Sequence, residues 1–244
     1  YGMYGVLANI NAIENREMLL NEEFQPNVDA ILNSVDANTK IIFLCSPNNP
    51  TGNSFSDESI IKILNNFKGL VVLDEAYIDF SANKSWLNEL NDFPNLIITQ
   101  TLSKAYAMAG LRIGILYASK PIISVLSKIK PPYNVNILSQ ETAEKKLLQS
   151  TLKAQVRKIL VEKEKLIVAL KSTKFIEKIF PSDANFILIK VDDANYRYQQ
   201  FLDNGVVVRN RSNQPLCENC LRITIGNKEE NERVIELLKS FNNG

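Results

Sequence analysis

The stretch LIITQTLSKAYAMAGLRIGILYA, residues 96–118, decides how this 244-residue chain is read. LIITQ (96–100) is a short apolar run rich in β-branched residues, the pattern of a strand inside a sheet. RIGILYA (112–118) gives a second run after only residues 101–111. A crossover that returns the chain parallel to its neighbour takes a dozen or more residues, usually including a helix. Arg112 to Ala118 is therefore expected to run antiparallel. The link is built of small residues and carries Lys104 directly behind the first strand.

Upstream, the same logic gives parallel strands. IIFLC (41–45) is a continuous apolar run suited to a strand buried on both faces. SDESIIKILNNF (56–67) follows, with Ser56 as N-cap and Ile60, Ile63, Leu64 and Phe67 spaced along one helical face. LVVLDEAY (70–77), a polar stretch around SWLNELNDFPN (85–95) and LIITQ complete a strand, helix, strand alternation, the signature of a parallel sheet with crossovers.

Downstream the character changes at KIKPPYNVN (128–136), whose paired prolines helices avoid. Leu152, Val156, Ile159, Leu160, Lys163, Leu166, Ile167 and Leu170 mark a long amphipathic helix, with the lysine stem packing on the stripe. ANFILIKV, ANYRYQQFLDNG, VVVRN, LRITI and KEENERVIELLKSF then read as strand, helix, strand, strand, helix, with Gly205 as the C′ residue of the first of these helices. The expected organisation is a domain over residues 1–135 with a mostly parallel sheet. Residues 136–244 follow as a connecting helix and a smaller α+β domain.

Composition removes whole classes of function. Lys plus Arg number 28 against 27 Asp plus Glu, so no basic excess draws the chain to nucleic acid or anionic lipid. No apolar run approaches the roughly 20 residues that span a bilayer, and YGMYGVLANI has no signal-peptide pattern. The chain reads as cytoplasmic. It starts without an initiator Met, which reads as a piece of a longer protein. Histidine is absent, which excludes Ser-His-Asp and Cys-His pairs and the HExxH zinc site. The CxxC of Cys217 and Cys220 has no second pair or histidine to complete a zinc site and runs into a strand rather than opening a helix. We read both as loop cysteines and expect no metal.

The chemistry sits where strands stop. SPNNPTG (46–52), DEAY (74–77) and SK (103–104) each follow an expected strand, and open α/β sheets bind ligands outside the carboxyl ends of their strands. Singly, each has an ordinary reading: Asn-Asn-Pro-Thr-Gly as a turn, Asp74 as a capping carboxylate, Lys104 as a solvated lysine.

Together, YGMY, SPNNPTG, DEAYIDF, TLSKAYAMAGLRIG and LRITIG resemble the pyridoxal-phosphate aminotransferases of fold type I, and among these most closely the histidinol-phosphate aminotransferases. The resemblance implies a large cofactor-binding domain of mostly parallel sheet with one antiparallel strand and helices on both faces, and a small α+β domain. It implies that Lys104 bonds the cofactor aldehyde and then moves the substrate's α-proton, a role open to a lysine whose pKa is depressed. Asp74 would accept the pyridine N–H, with Asn49 and Tyr77 donating to the ring's phenolic oxygen. Thr101, Ser103 and Arg112 would hold the cofactor phosphate, and Tyr1 would stack on the ring. Arg222 would clamp the substrate α-carboxylate and Arg209 the substrate phosphate. The family also implies a homodimer, glutamate as amino donor and a place in histidine biosynthesis. Its members carry a segment ahead of the position of Tyr1 that completes the phosphate site. An aromatic aminotransferase, an amino-acid-phosphate decarboxylase and a non-catalytic module of this fold stay open as alternatives.

Overall fold

The computed structural model describes residues 1–149 and 151–242, which divide into two compact units. The first holds Tyr1–Asn49, Phe55–Ile78 and Asn83–Ser150, and the second Pro50–Ser54, Asp79–Ala82 and Thr151–Gly244. No helix among the described residues is long and apolar enough to cross a membrane.

The first unit is built on a four-stranded sheet in the order β1 (Ile41–Cys45), β2 (Leu70–Asp74), β3 (Leu96–Thr101), β4 (Gly114–Ala118). β1, β2 and β3 are parallel, and β4 runs antiparallel to β3 with Thr101 opposite Gly114, as the short link demands. Two short helices, α1 (Met3–Ile10) and α2 (Val28–Asn33), precede β1. Helix α3 (Asp57–Asn66) joins β1 to β2, capped by Ser56, whose hydroxyl accepts the Ser59 amide. Its Ile60, Ile63 and Leu64 pack with Val71, Leu73, Leu96 and Ile98 in one core cluster. Helices α4 (Lys120–Ile129) and α5 (Ile137–Leu148) follow β4, so the residues beyond 135 begin with a helix of this unit.

The polar stretch between β2 and β3 forms short 3₁₀ turns at Ile78–Phe80 and Trp86–Glu89. One expectation changes here: β1 is not buried on both faces, since Ile41 and Phe43, two residues apart and so on one side of the strand, are 46% and 48% exposed.

The second unit carries α6 (Leu152–Lys171), β5 (Ile176–Ile179), β6 (Phe186–Val191), α7 (Ala194–Asp203), β7 (Arg209–Asn210), β8 (Cys220–Thr224) and α8 (Lys228–Asn242). Its sheet has the order β5-β6-β8-β7 and is antiparallel throughout. Leu166, Leu170, Ile187, Ile189, Phe201, Leu221, Ile223 and Leu237 are among the residues of its core. Only Arg209 and Asn210 of VVVRN enter the ladder, as β7, which pairs with β8 alone. Lys163, on the apolar stripe of α6, is buried and donates to the carbonyls of Ser182 at 2.8 Å and Ala184 at 3.3 Å. Gly205 follows α7 with φ +76°, the left-handed conformation of a C′ glycine. Cys217 and Cys220 are reduced and buried, Cys220 as the first residue of β8 rather than part of a loop.

Candidate active site

Strand geometry places Asp74 last in β2, with Cys45 and Thr99 as its register partners on β1 and β3. The Ser46 amide donates to its carbonyl at 3.0 Å, so the polypeptide leaving β1 is tied to the end of β2. The half-buried side chain accepts two hydrogen bonds, from the Ala76 amide at 3.0 Å and from the Tyr4 hydroxyl at 2.5 Å. A carboxylate held by neutral donors at a strand end suits a cationic ring donor, because its oxygens are oriented.

The next residue, Glu75, is the buried anchor of this edge. Its carboxylate accepts the Ser85 hydroxyl at 2.6 Å, the Trp86 amide at 2.8 Å and the Gln100 side-chain amide at 2.9 Å. Those bonds fasten β2, β3 and the 3₁₀ turn between them, and so fix the backbone that carries Asp74 and Tyr77. The sequence reading passed over it. A second carboxylate beside Asp74, in a segment following an apolar strand, was the available signal.

Lys104 lies just past β3 in a link closed at its base, where Leu102 donates to Ile113, Met108 to Leu102, and Ala107 to Lys104 itself. Its side chain is exposed, and its Nζ stands 5.3 Å from the centre of the buried Tyr77 ring. Thr101 accepts the Ser103 amide at 3.1 Å and donates to the Ile113 carbonyl at 3.3 Å, which sets both hydroxyl residues at the mouth of the link. Arg112 is not a strand residue: it follows a 3₁₀ turn with φ +56° and donates to the Ala109 carbonyl, and β4 begins two residues later at Gly114. Asn49 is half-buried, its backbone amide reaching the Cys45 sulfur. Tyr1 is exposed and meets the Tyr4 ring edge-on at 5.6 Å.

The electrostatics of this edge are those of groups kept in one protonation state. Burial, then the neighbouring Cys45 and Asp74, drives the Tyr4 phenol far above its ordinary value, so it stays a donor. Burial, reinforced by Asp74, pushes the Cys45 thiol up to about 12. The chemistry of this donor set fits a pyridine cofactor: a carboxylate at the end of β2, a primary amine 5.3 Å from the centre of an aromatic ring, and hydroxyls at the mouth of the link that also carries Arg112.

In the second unit, β7 and β8 place Arg209 directly opposite Arg222. Arg222 is half-buried, with its guanidinium 4.9 Å from the centre of the Phe186 ring, while Arg209 is exposed. Cross-strand register partners lie on one face of the sheet.

Comparison with known proteins agrees with this geometry. The profile of the family described as "Aminotransferase class I and II" matches residues 1–238. The histidinol-phosphate aminotransferase of Flavobacterium psychrophilum is 70% identical over 241 residues, which cover 99% of this chain and 70% of that protein. The crystal structure of the histidinol-phosphate aminotransferase from Clostridium acetobutylicum superposes with a TM-score of 0.90 at 25% identity, covering 100% of this chain and 75% of that one. That of the Sinorhizobium meliloti enzyme, in complex with pyridoxal-5′-phosphate, gives a TM-score of 0.86 at 23% identity over 99% of this chain and 69% of its own. With the family profile running over almost its whole length, and a 70% identical relative, the chain belongs to the class I and II aminotransferases, and within them to the histidinol-phosphate aminotransferases.

Proposed function

We propose that this chain carries the lysine-bearing site of a pyridoxal-phosphate enzyme that exchanges an amino group between glutamate and imidazole-acetol phosphate, giving histidinol phosphate in histidine biosynthesis. The observation that carries the reading is the pair of strand ends in one parallel sheet, with an oriented carboxylate closing β2 and an amine set over Tyr77 just beyond β3.

When bound, pyridoxal phosphate supplies an aldehyde that takes up the amino group and a ring that accepts the electrons of the substrate's α C–H bond. Lys104 would hold the cofactor through its aldehyde, and its amine would carry the proton of the substrate's α-carbon. Asp74 would accept the ring N–H, and Asn49 and Tyr77 would donate to the ring hydroxyl oxygen. Thr101, Ser103 and Arg112 would hold the cofactor phosphate, the arginine through a planar fork that can donate two parallel bonds. Tyr1 would cover the ring face. Arg222 grips the α-carboxylate and so orients the reacting C–H, and Arg209 takes the substrate phosphate. The working form is a cytoplasmic homodimer.

Adding pyridoxal phosphate to the protein should produce the visible absorption band of a lysine-bound aldehyde, and Lys104→Ala should lose the band while keeping its fold. A band that persists in Lys104→Ala would overturn the assignment.

A further inference from the structure

Asp74 is held by more than its own strand. One carboxylate oxygen accepts the Ala76 amide, and the other accepts the hydroxyl of Tyr4, which arrives from the first turn of α1, 70 residues away in sequence. The Tyr4 ring cannot slide, because it stacks on Phe43 of β1 at 4.8 Å and 25° and Tyr1 abuts it edge-on. The hydroxyl's other polar neighbour is the Cys45 side chain, itself buried beside Asp74. Both groups around the hydroxyl are neutral or negative, so the phenol keeps its proton and donates permanently. A short O–H···O⁻ bond of this kind is among the strong hydrogen bonds of proteins.

On the reading of the site given above, we infer that Tyr4 is a positioning residue for the cofactor: its hydroxyl holds one oxygen of Asp74 and draws off part of its charge. Asp74 then meets the pyridine N–H as an ionised acceptor. Each donor to a carboxylate lowers its affinity for a proton. With Tyr4 in place, the proton shared between Asp74 and the ring stays on the ring nitrogen, where positive charge favours uptake of electrons. Without the hydroxyl, Asp74 keeps only the Ala76 amide of its two donors, and the shared proton moves toward the carboxylate.

Tyr4→Phe removes the donor and leaves the stack on Phe43. The test loads wild type and Tyr4→Phe with pyridoxal phosphate labelled with ¹⁵N in the ring and reads the ring-nitrogen resonance. Alongside it, the dissociation constant of pyridoxamine phosphate is measured by equilibrium dialysis. The expected result is a Tyr4→Phe resonance displaced toward unprotonated pyridine, with pyridoxamine phosphate bound about tenfold more weakly, the order of effect of one hydrogen bond to a charged group. Replacing Tyr4 by 3-fluorotyrosine keeps the ring, strengthens the donor and should displace the resonance the opposite way. Thermal unfolding of the cofactor-free variants identifies any that fail to fold, and the fluorinated protein then decides. Wild-type resonance positions in every folded variant overturn the inference, including the case where only the unfolding temperature falls. A wild-type protein that binds no pyridoxal phosphate instead overturns the reading of the site on which the inference rests.

Discussion

Lys163 shows how one buried side chain can be read two ways from sequence and resolved by its partners. Its place on the apolar stripe of α6 predicts a packed stem, and the structure adds that the ammonium satisfies the carbonyls of Ser182 and Ala184. Lys163→Ala leaves two carbonyls without that donor, so we expect a loss of about 1–3 kcal/mol in denaturant unfolding near neutral pH. Burial lowers its pKa against the opposing pull of Asp183 and Glu164. The folded state therefore releases this proton at lower pH than the unfolded chain does. Between the depressed folded value and the ordinary lysine range, the unfolded state binds more protons, and the contribution of Lys163 to stability rises with pH. Stability against pH measured across that window should lose this rise in Lys163→Ala. Tyr4 marks the limit of residue-level reading. The YGMY motif drew attention to Tyr1, because nothing in the spacing says that a tyrosine three positions on meets a carboxylate 70 residues away.

At the scale of elements, legibility followed how little choice each segment had. The antiparallel β4 was readable because the link before it is too short for a parallel return. Ser56 and the face of α3 were readable because cap and stripe agree. Helices α1, α2, α4 and α5 went unread: α2 is fewer than two turns long, and α4, though its apolar residues gather on one side, buries none of them. β7 was overestimated because three valines look like a strand whether or not a neighbour exists on both sides. The turn SPNNPTG tests the same idea energetically. Gly52 sits at φ +85° in the second unit, and a Cβ there would lie 2.7 Å from the Ser182 hydroxyl. The Asp183 amide also donates to its carbonyl at 2.7 Å, so the backbone cannot swing away freely. Gly52→Ala should cost about 1–3 kcal/mol in the denaturant midpoint, through strain and contact together. An unchanged midpoint would show that the turn is more pliable than its geometry indicates.

For the whole molecule, the groups proposed for binding fall in both units: Asp74, Thr101, Ser103 and Lys104 lie at or just past the strand ends of the first sheet, and Arg209 and Arg222 are register partners in the second. The placement of the first set at strand ends could be read from the sequence, because strand ends announce themselves by a switch from apolar to polar residues, while the roles proposed for it came from the family resemblance. The pairing of Arg209 with Arg222 depends on which strands neighbour one another, which no local pattern contains. An anion held at either arginine, as proposed for the substrate, would stabilise the folded state. At ten times its dissociation constant, inorganic phosphate should raise unfolding free energy by about 1.4 kcal/mol over chloride at equal ionic strength. Arg222→Ala should lose the increment, and equal stability in both salts would argue against an anion held there.

The same two facing cations make the solvent a participant in any assay. A catalyst that met its metabolite through these guanidinium groups, as proposed, would accept other oxyanions at the same place, so rates recorded in phosphate or sulfate buffers should carry a competitive component that disappears in amine buffers. Apparent substrate preferences gathered in different media are then comparable only after the occupancy of that position by the buffer itself has been subtracted.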